Sequence, residues 1–356
     1  MSVGRRRIKL VGLLMMVNLF IYVIVEVSKS SNQDKNADGQ IVVPSGNFWK
    51  KRRESNAYWN REQQKVDRLY NPILNLLNNS TVEETVISNA SDSCEMDTNL
   101  HSEVKDFQKL PERFKDFLYY LKCRNYSLVL DQPKKCADKP FLLLAIKSLI
   151  PQFDRRQAIR ESWGKELKIN NMTVVRVFLL GQTPPEEKWA SHSCADAQFI
   201  FKGDDDVFVN TPLILDYLKT LSAEKAKDLF IGDVIKDAGP HRDKNLKYYI
   251  PESVYEGSYP PYAGGGGFLY SGSIAKRLYN ATSRVLLYPI DDVYTGMCLE
   301  KIGISPEKHK GFRTFDIDEK QKKSICSYIN IMLVHPRQPQ EIIKIWSMLQ
   351  DSQLNC

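Results

Sequence analysis

Five aspartates hold the densest chemistry in this chain. Asp204, Asp205 and Asp206 stand in Phe199-Ile-Phe-Lys-Gly-Asp-Asp-Asp-Val-Phe-Val-Asn210, between two β-favouring apolar runs. Adjacent carboxylates hemmed by Phe, Ile and Val repel one another unless a cation or hydrogen-bond donors offset their charge. If Phe199 to Phe201 form a buried strand, the acids fall at its carboxyl end, where open α/β sheets place ligands. Side chains alternate along an extended backbone, so Asp204 and Asp206 are expected to share a face and serve one cation while Asp205 points elsewhere. A hard divalent ion, Mg²⁺ or Mn²⁺, sharing its coordination with a diphosphate suits these donors. The plainer alternative is an acidic turn between two strands.

The second acidic group, Asp291-Asp292, opens an apparent helix after Tyr288-Pro-Ile290. An Asp pair at a helix start can be capping alone. Alternatively one of them is a general base, acting on a substrate held by the preceding Tyr259-Pro-Pro-Tyr-Ala-Gly-Gly-Gly-Gly-Phe-Leu-Tyr-Ser271. Glycines let a ligand approach the backbone closely, and tyrosine faces beside exposed amides suit a sugar ring. A flexible linker is the other reading of this stretch. His335 ends the apolar run Ile331-Met-Leu-Val334; a lone histidine is more often structural, yet a strand end is well placed to complete a metal site. Arg156 and Arg160, four apart, share a helix face, and can grip a diphosphate or form a solvated basic face.

The elements that must position these groups follow from periodicity. Pro140 to Lys147 is a continuous apolar run of strand length, as in a strand covered on both faces, and is expected to be the first parallel strand. Arg155 to Gly164 reads as a helix, Thr173 to Leu180 as a second strand, and Leu229 to Ile235 as another. Thr211 and Pro212 are expected to cap and start a helix through Leu221. Helices at Leu110–Leu121 and after Pro339 place their apolar residues on one face. Only Gln182 to Gln198 separates the second strand from the acidic one, barely enough for a parallel crossover.

With 356 residues, 42% hydrophobic and 26% charged, the chain can bury one large core or two small ones. A formal charge of +7 is modest and spread out, and no basic-aromatic stripe indicates nucleic acid. Arg5, Arg6, Arg7 and Lys9 precede an apolar run from Leu10 to Val25. No clear cleavage site follows, so the expectation is an uncleaved membrane anchor at residues 10–27, a cytoplasmic tail at 1–9, and a lumenal remainder. The polar stretch 28–106 reads as a stem, with an aromatic patch between Phe48 and Leu77 that could dock on the main domain, residues 107–356. Sequons at Asn78, Asn79, Asn89, Asn125, Asn171 and Asn280 agree with a lumenal location. Seven cysteines imply disulfides of undetermined pairing and one odd thiol, and no Cys-x-x-Cys or His-rich spacing supports zinc.

Arg156-Gln-Ala-Ile-Arg-Glu-Ser-Trp-Gly164, Lys202-Gly-Asp-Asp-Asp-Val-Phe208, Tyr262-Ala-Gly-Gly-Gly-Gly267 and Asp291-Asp-Val-Tyr-Thr-Gly296, in this order, resemble the β-1,3-glycosyltransferase family. The resemblance implies an α/β GT-A-like fold with a mostly parallel central sheet, in a Golgi type II membrane enzyme. It further implies transfer of N-acetylglucosamine from UDP-GlcNAc, with inversion, to the 3-hydroxyl of a terminal galactose on a glycan acceptor, building poly-N-acetyllactosamine with Mn²⁺ or Mg²⁺. Carried over by motif, Asp206 binds the metal with Asp204 and His335, while Asp204 and Asp205 also lie near uridine and ribose. Asp292 is the base, with Asp291 beside it. Ala145, Ile146, Lys147, Arg156, Arg160 and Lys202 line the nucleotide site, and Gly265, Gly266 and Gly267 form the loop at the transferred sugar. Association with itself or with other Golgi glycosyltransferases is a further expectation. A galactosyl donor is the nearest alternative, and a non-catalytic lumenal binding protein is the alternative of another class. One departure from the family pattern is a missing segment between Glu187 and Lys188, expected to expose apolar surface and lower stability.

Overall fold

The apolar run after Pro140 needs cover on both faces, and its residues divide accordingly between two cores. The computed structural model describes residues 55–70, 94–124, 130–169, 172–180, 194 and 196–356. The expected tail and anchor, the junction of Glu187 with Lys188 and the sequons other than Asn280 lie outside them. Asn280 is exposed on a helix. Among the described residues no helix is long and apolar enough to cross a membrane.

The principal helices are α1 (Tyr58–Leu69), α2 (Glu112–Tyr119), α3 (Phe153–Glu161), α4 (Thr211–Lys219), α5 (Gly272–Thr282), α6 (Asp291–Lys301) and α7 (Pro339–Leu349). The strands are β1 (Leu142–Ser148), β2 (Leu167–Ile169), β3 (Met172–Leu180), β4 (Phe199–Asp204), β5 (Phe208–Val209), β6 (Phe230–Ile235), β7 (Tyr262–Ser271), β8 (Glu307–Lys308), β9 (Phe312–Arg313) and β10 (Leu333–Val334). A seven-stranded sheet runs β2-β3-β1-β4-β7-β6-β8, and a smaller one runs β5-β10-β9. Alternation along β1 sends Leu142, Leu144 and Ile146 into one core and Leu143 and Ala145 into the other. The first core is closed by Ile159 of α3, Ile214 and Leu218 of α4, and Ile342 and Ile345 of α7. The second is closed by Ile274 and Leu278 of α5, Val293 and Met297 of α6, and Trp59 of α1.

The expectation of a mostly parallel sheet is corrected. β1 pairs in parallel with β3 and β4, and β6 with β8, but β2–β3, β4–β7 and β6–β7 are antiparallel. The chain leaves β6 without a helical crossover and returns as β7 beside it, and such a return makes neighbours antiparallel. The glycine stretch, expected as a loop, is the first half of β7. β2 was not legible, being three residues folded back on Met172–Val174. Past Val174, the outer edge of β3 has no strand partner among the described residues, and Leu180 is exposed there.

Two stretches within the expected stem belong to the folded body. Tyr58 and Trp59 of α1, with Leu100 and Val104, are buried in the second core, which is why the patch around them is so aromatic for a spacer. Cys94–Cys123 ties this region down, Cys136–Cys194 and Cys326–Cys356 close two further loops, and buried Cys298 takes part in none of these bridges. On α4 the cap is Asn210 rather than Thr211: its side chain accepts from Leu213 N, while the Thr211 hydroxyl donates to Trp163 O at 2.6 Å.

Candidate active site

The carboxyl ends of the parallel strands β1 and β4 bring the first charges together. Their register sets Lys147 beside Asp204, and Lys147 Nζ lies 3.0 Å from Asp204 Oδ1 and 2.6 Å from Asp291 Oδ2. Lys202, two residues before Asp204, lies 3.7 Å from the same Asp291 oxygen. One lysine therefore joins the acidic triplet to the acidic pair, which are 87 positions apart in the chain between Asp204 and Asp291.

The triplet does not alternate as an extended strand would. β4 ends at Asp204, and Asp205 and Asp206 form a turn, which rotates them away from it. Asp205 and Asp206 consequently share Arg155, whose Nη1 lies 2.9 and 3.1 Å from their carboxylates. Asp204 faces Lys147 and Asp291 instead. Burial pushes the Asp204 carboxyl up, against the pull of Lys147.

His335 reaches the triplet through the small sheet. β10 pairs with β5 so that Leu333 opposes Val209 and Val334 opposes Phe208; continued, that register sets His335 against Val207, next to Asp206. Arg337 N donates to Asp206 O at 2.7 Å and locks the approach. His335 Nδ1 lies 2.8 Å from Thr314 O, a carbonyl that can only accept, so Nδ1 carries a proton. With Nδ1 so occupied, Nε2 faces Asp206 Oδ1, 3.6 Å away, an oxygen without a hydrogen-bond partner, and this pair fits a cation. Among the described residues no three His, Cys, Asp or Glu side chains converge as a ligand set, and Asp204 faces Lys147 and Asp291. Asp206 and His335 are the residues that would hold a Mg²⁺ or Mn²⁺ there.

The glycines of β7 make the floor between the two acidic groups. A Cβ on Gly265 would lie 3.3 Å from Asp292 Oδ2, and one on Gly266 would lie 3.0 Å from His335 Cβ. Successive residues of a strand face opposite ways, so Asp292 and His335 approach β7 from its two faces. On Gly267 a Cβ would sit 2.6 Å from Leu333 Cδ1, too close to persist. Gly267 is required by packing, and at Gly265 and Gly266 the neighbours leave little space for a side chain.

At the start of α6 two adjacent aspartates diverge. Burial favours the neutral acid in both, but Lys202 and Lys147 hold Asp291 well below the usual carboxylate range. Asp292 is pushed up to about 6, first by burial and then by the negative charge of Asp291. Its own helix supplies one donor, Val293 N at 3.0 Å. Tyr262 leans over Gly296 of α6, and burial together with Asp292 raises its hydroxyl to about 12.

Other expected site residues are placed differently. The side chains of Ala145 and Ile146 are buried in the two cores, leaving only their backbone to line a ligand. Arg156 is buried and spent on the loop after β1, donating to Ser148 Oγ at 2.8 Å, Leu149 O at 2.6 Å and Ile150 O at 2.8 Å. Arg160 lies over the Phe178 ring at 4.9 Å. Arg155, which the helix-face argument passed over, is the arginine that meets the carboxylates. No spacing rule singles it out from its neighbour; it is set by where α3 docks.

A family profile described as "Galactosyltransferase" matches residues 187–310. N-acetyllactosaminide beta-1,3-N-acetylglucosaminyltransferase 2 of Mus musculus is 62% identical over 397 residues, and that of Homo sapiens is 61% identical, each alignment covering 100% of both chains. This chain has 356 residues, so those relatives carry residues that it lacks. UDP-GlcNAc:betaGal beta-1,3-N-acetylglucosaminyltransferase 7 of Rattus norvegicus is 38% identical over 74% of this chain and 77% of its own. A crystal structure of a glycosyltransferase involved in glycosylation of the major capsid of PBCV-1 aligns at 12% identity and a TM-score of 0.34, covering 59% of this chain and 100% of that one.

Proposed function

Because this chain belongs to the β-1,3-N-acetylglucosaminyltransferase family, we propose that it transfers N-acetylglucosamine from UDP-GlcNAc to the 3-hydroxyl of a terminal β-galactose, extending poly-N-acetyllactosamine with inversion. The observation that carries the reading is Asp292: a carboxyl raised to about 6, beside an aspartate that is paired, and set directly against the backbone of Gly265. A base with that pKa is ionised at neutral pH yet able to take a proton.

The reaction is a single displacement on a GT-A-type site. Asp292 Oδ2 takes the proton of the acceptor 3-hydroxyl as its oxygen attacks the anomeric carbon. The glycosidic C–O bond to the diphosphate breaks with its electron pair, and UDP departs from the opposite face. Lys147, Lys202 and Arg155 are the cations that face the diphosphate. Asp206 and His335 would hold a Mn²⁺ or Mg²⁺, which when bound neutralises charge on the departing diphosphate. Asp291, held ionised by its two lysines, keeps Lys147 in place and raises its neighbour.

The chain is accordingly read as a Golgi enzyme with its C-terminal domain lumenal, anchored through residues 10–27, acting on galactose-terminated glycoprotein or glycolipid glycans and associating with itself or other Golgi glycosyltransferases. Three disulfides support the lumenal placement, since such bridges persist in oxidising compartments. The "Galactosyltransferase" description of the matching profile favours one rival, a galactosyl donor. A UDP-release assay with a lactosamine acceptor decides: turnover with UDP-GlcNAc well above that with UDP-Gal supports the proposal, and the reverse overturns it.

A further inference from the structure

The aspartates of α6 are held in place from a distant part of the chain. On α1, buried Gln63 exchanges two hydrogen bonds with the loop that leads into α6: Nε2 donates to Arg284 O at 2.8 Å, and Oε1 accepts from Leu286 N at 2.8 Å. Trp59 Nε1 donates to Leu287 O at 2.8 Å, and its ring meets Tyr255 and Tyr288 edge-on at 5.3 and 5.7 Å. At the far end of α6, Lys301 pairs with Asp67, one turn beyond Gln63, and Gln63 Nε2 braces that carboxylate at 2.9 Å. Both ends of the helix that carries Asp291 and Asp292 are thus tied to α1.

α1 is itself anchored elsewhere. Tyr58 N and Trp59 N donate to Ser253 O and Val254 O, each at 2.9 Å. Asn60 exchanges bonds of 2.9 and 3.0 Å with the backbone of Glu256. Residues 284–290 have no sheet or helix ladder of their own, so their buried polar groups depend on partners such as these. Only the loop from Leu287 to Ile290 lies between the Trp59 bond and Asp291. A small displacement there passes directly to the carboxylates, and reacting groups tolerate misplacement poorly.

We propose that α1 is a positioning element for the transfer reaction, with Gln63 and Trp59 setting the loop that aims Asp292 at the acceptor and Asp67 fixing the opposite end of α6. The proposal rests on Asp292 being the base. Gln63 touches no reacting group and acts through the loop and through Asp67.

The test compares the full chain with Gln63→Met, which keeps side-chain length while removing the loop hydrogen bonds, and with Asp292→Asn. In Gln63→Met, kcat is expected to fall about tenfold with the donor KM unchanged. Amide hydrogen exchange is expected to quicken at residues 286–293 and to stay unchanged in β4 and β10. Wild-type kcat with unchanged exchange at 286–293, or exchange that rises uniformly over the molecule, overturns the positioning role and leaves α1 a scaffold. Retained turnover in Asp292→Asn instead overturns the assignment of the base, and the exchange pattern then judges the loop contact separately.

Discussion

At the end of β4, three aspartates are drawn apart by their cations, Arg155 holding Asp205 and Asp206 while Lys147 takes Asp204. At the start of α6, two adjacent aspartates have lysines in ion-pair contact with one member only, and the other keeps its proton up to about pH 6. The same side chain therefore serves two purposes within one site. Where close lysines outweigh burial, as at Asp291, aspartate is a fixed charge; where burial and a like-charged neighbour outweigh the same lysines, as at Asp292, it becomes a proton acceptor near physiological pH.

The hardest test of this comparison is Asp292→Asn. Turnover is expected to fall by about 10³-fold, since proton transfer is lost, while UDP binding measured by calorimetry is unchanged. A binding module would lose neither. Next in size is the cation beside Asp206. Chelation of divalent metal, or His335→Ala, is expected to lower turnover by about 10²-fold, with excess Mn²⁺ restoring the chelated wild type. Activity indifferent to chelation would assign the Asp206–His335 contact to a protonated imidazole instead.

Lys147→Met sharpens the link between the two regions. Lys147 lowers Asp204, Asp291 and Asp292, so its loss is expected to move the acid limb of the pH–rate profile above its wild-type position near pH 6, with turnover down about tenfold. An unmoved limb would separate Asp292 from this network. The smallest effect is on stability. A carboxyl raised in the folded state binds its proton more tightly there than in the unfolded chain. Its contribution is complete below the ordinary pKa of 3.8 and is lost as pH rises through about 6. Asp292→Asn is therefore expected to be more stable to unfolding than wild type at pH 7, by about 1 kcal/mol once partial solvent access is allowed for, and to show no such gain at pH 3.5, as read by thermal or denaturant unfolding.

By itself the sequence determined which groups could meet and most of the elements that carry them. Alternation in Pro140–Lys147, acids after Phe199–Phe201, four glycines before an Asp pair and a histidine after an apolar run are local patterns, and local patterns are written in residue order. The tertiary structure decided which partners those groups would have. Arg155 rather than Arg156 meets the triplet because of how α3 docks, and Asp204 parts from Asp206 because β4 ends between them. β7 lies antiparallel between β4 and β6, so its glycines form a strand floor rather than a loop. Asp291 and Asp292 are indistinguishable in sequence, and only the lysines delivered by β1 and β4 separate a fixed charge from a base. Coulombic and desolvation effects depend on distances across the fold, which adjacency along the chain does not specify.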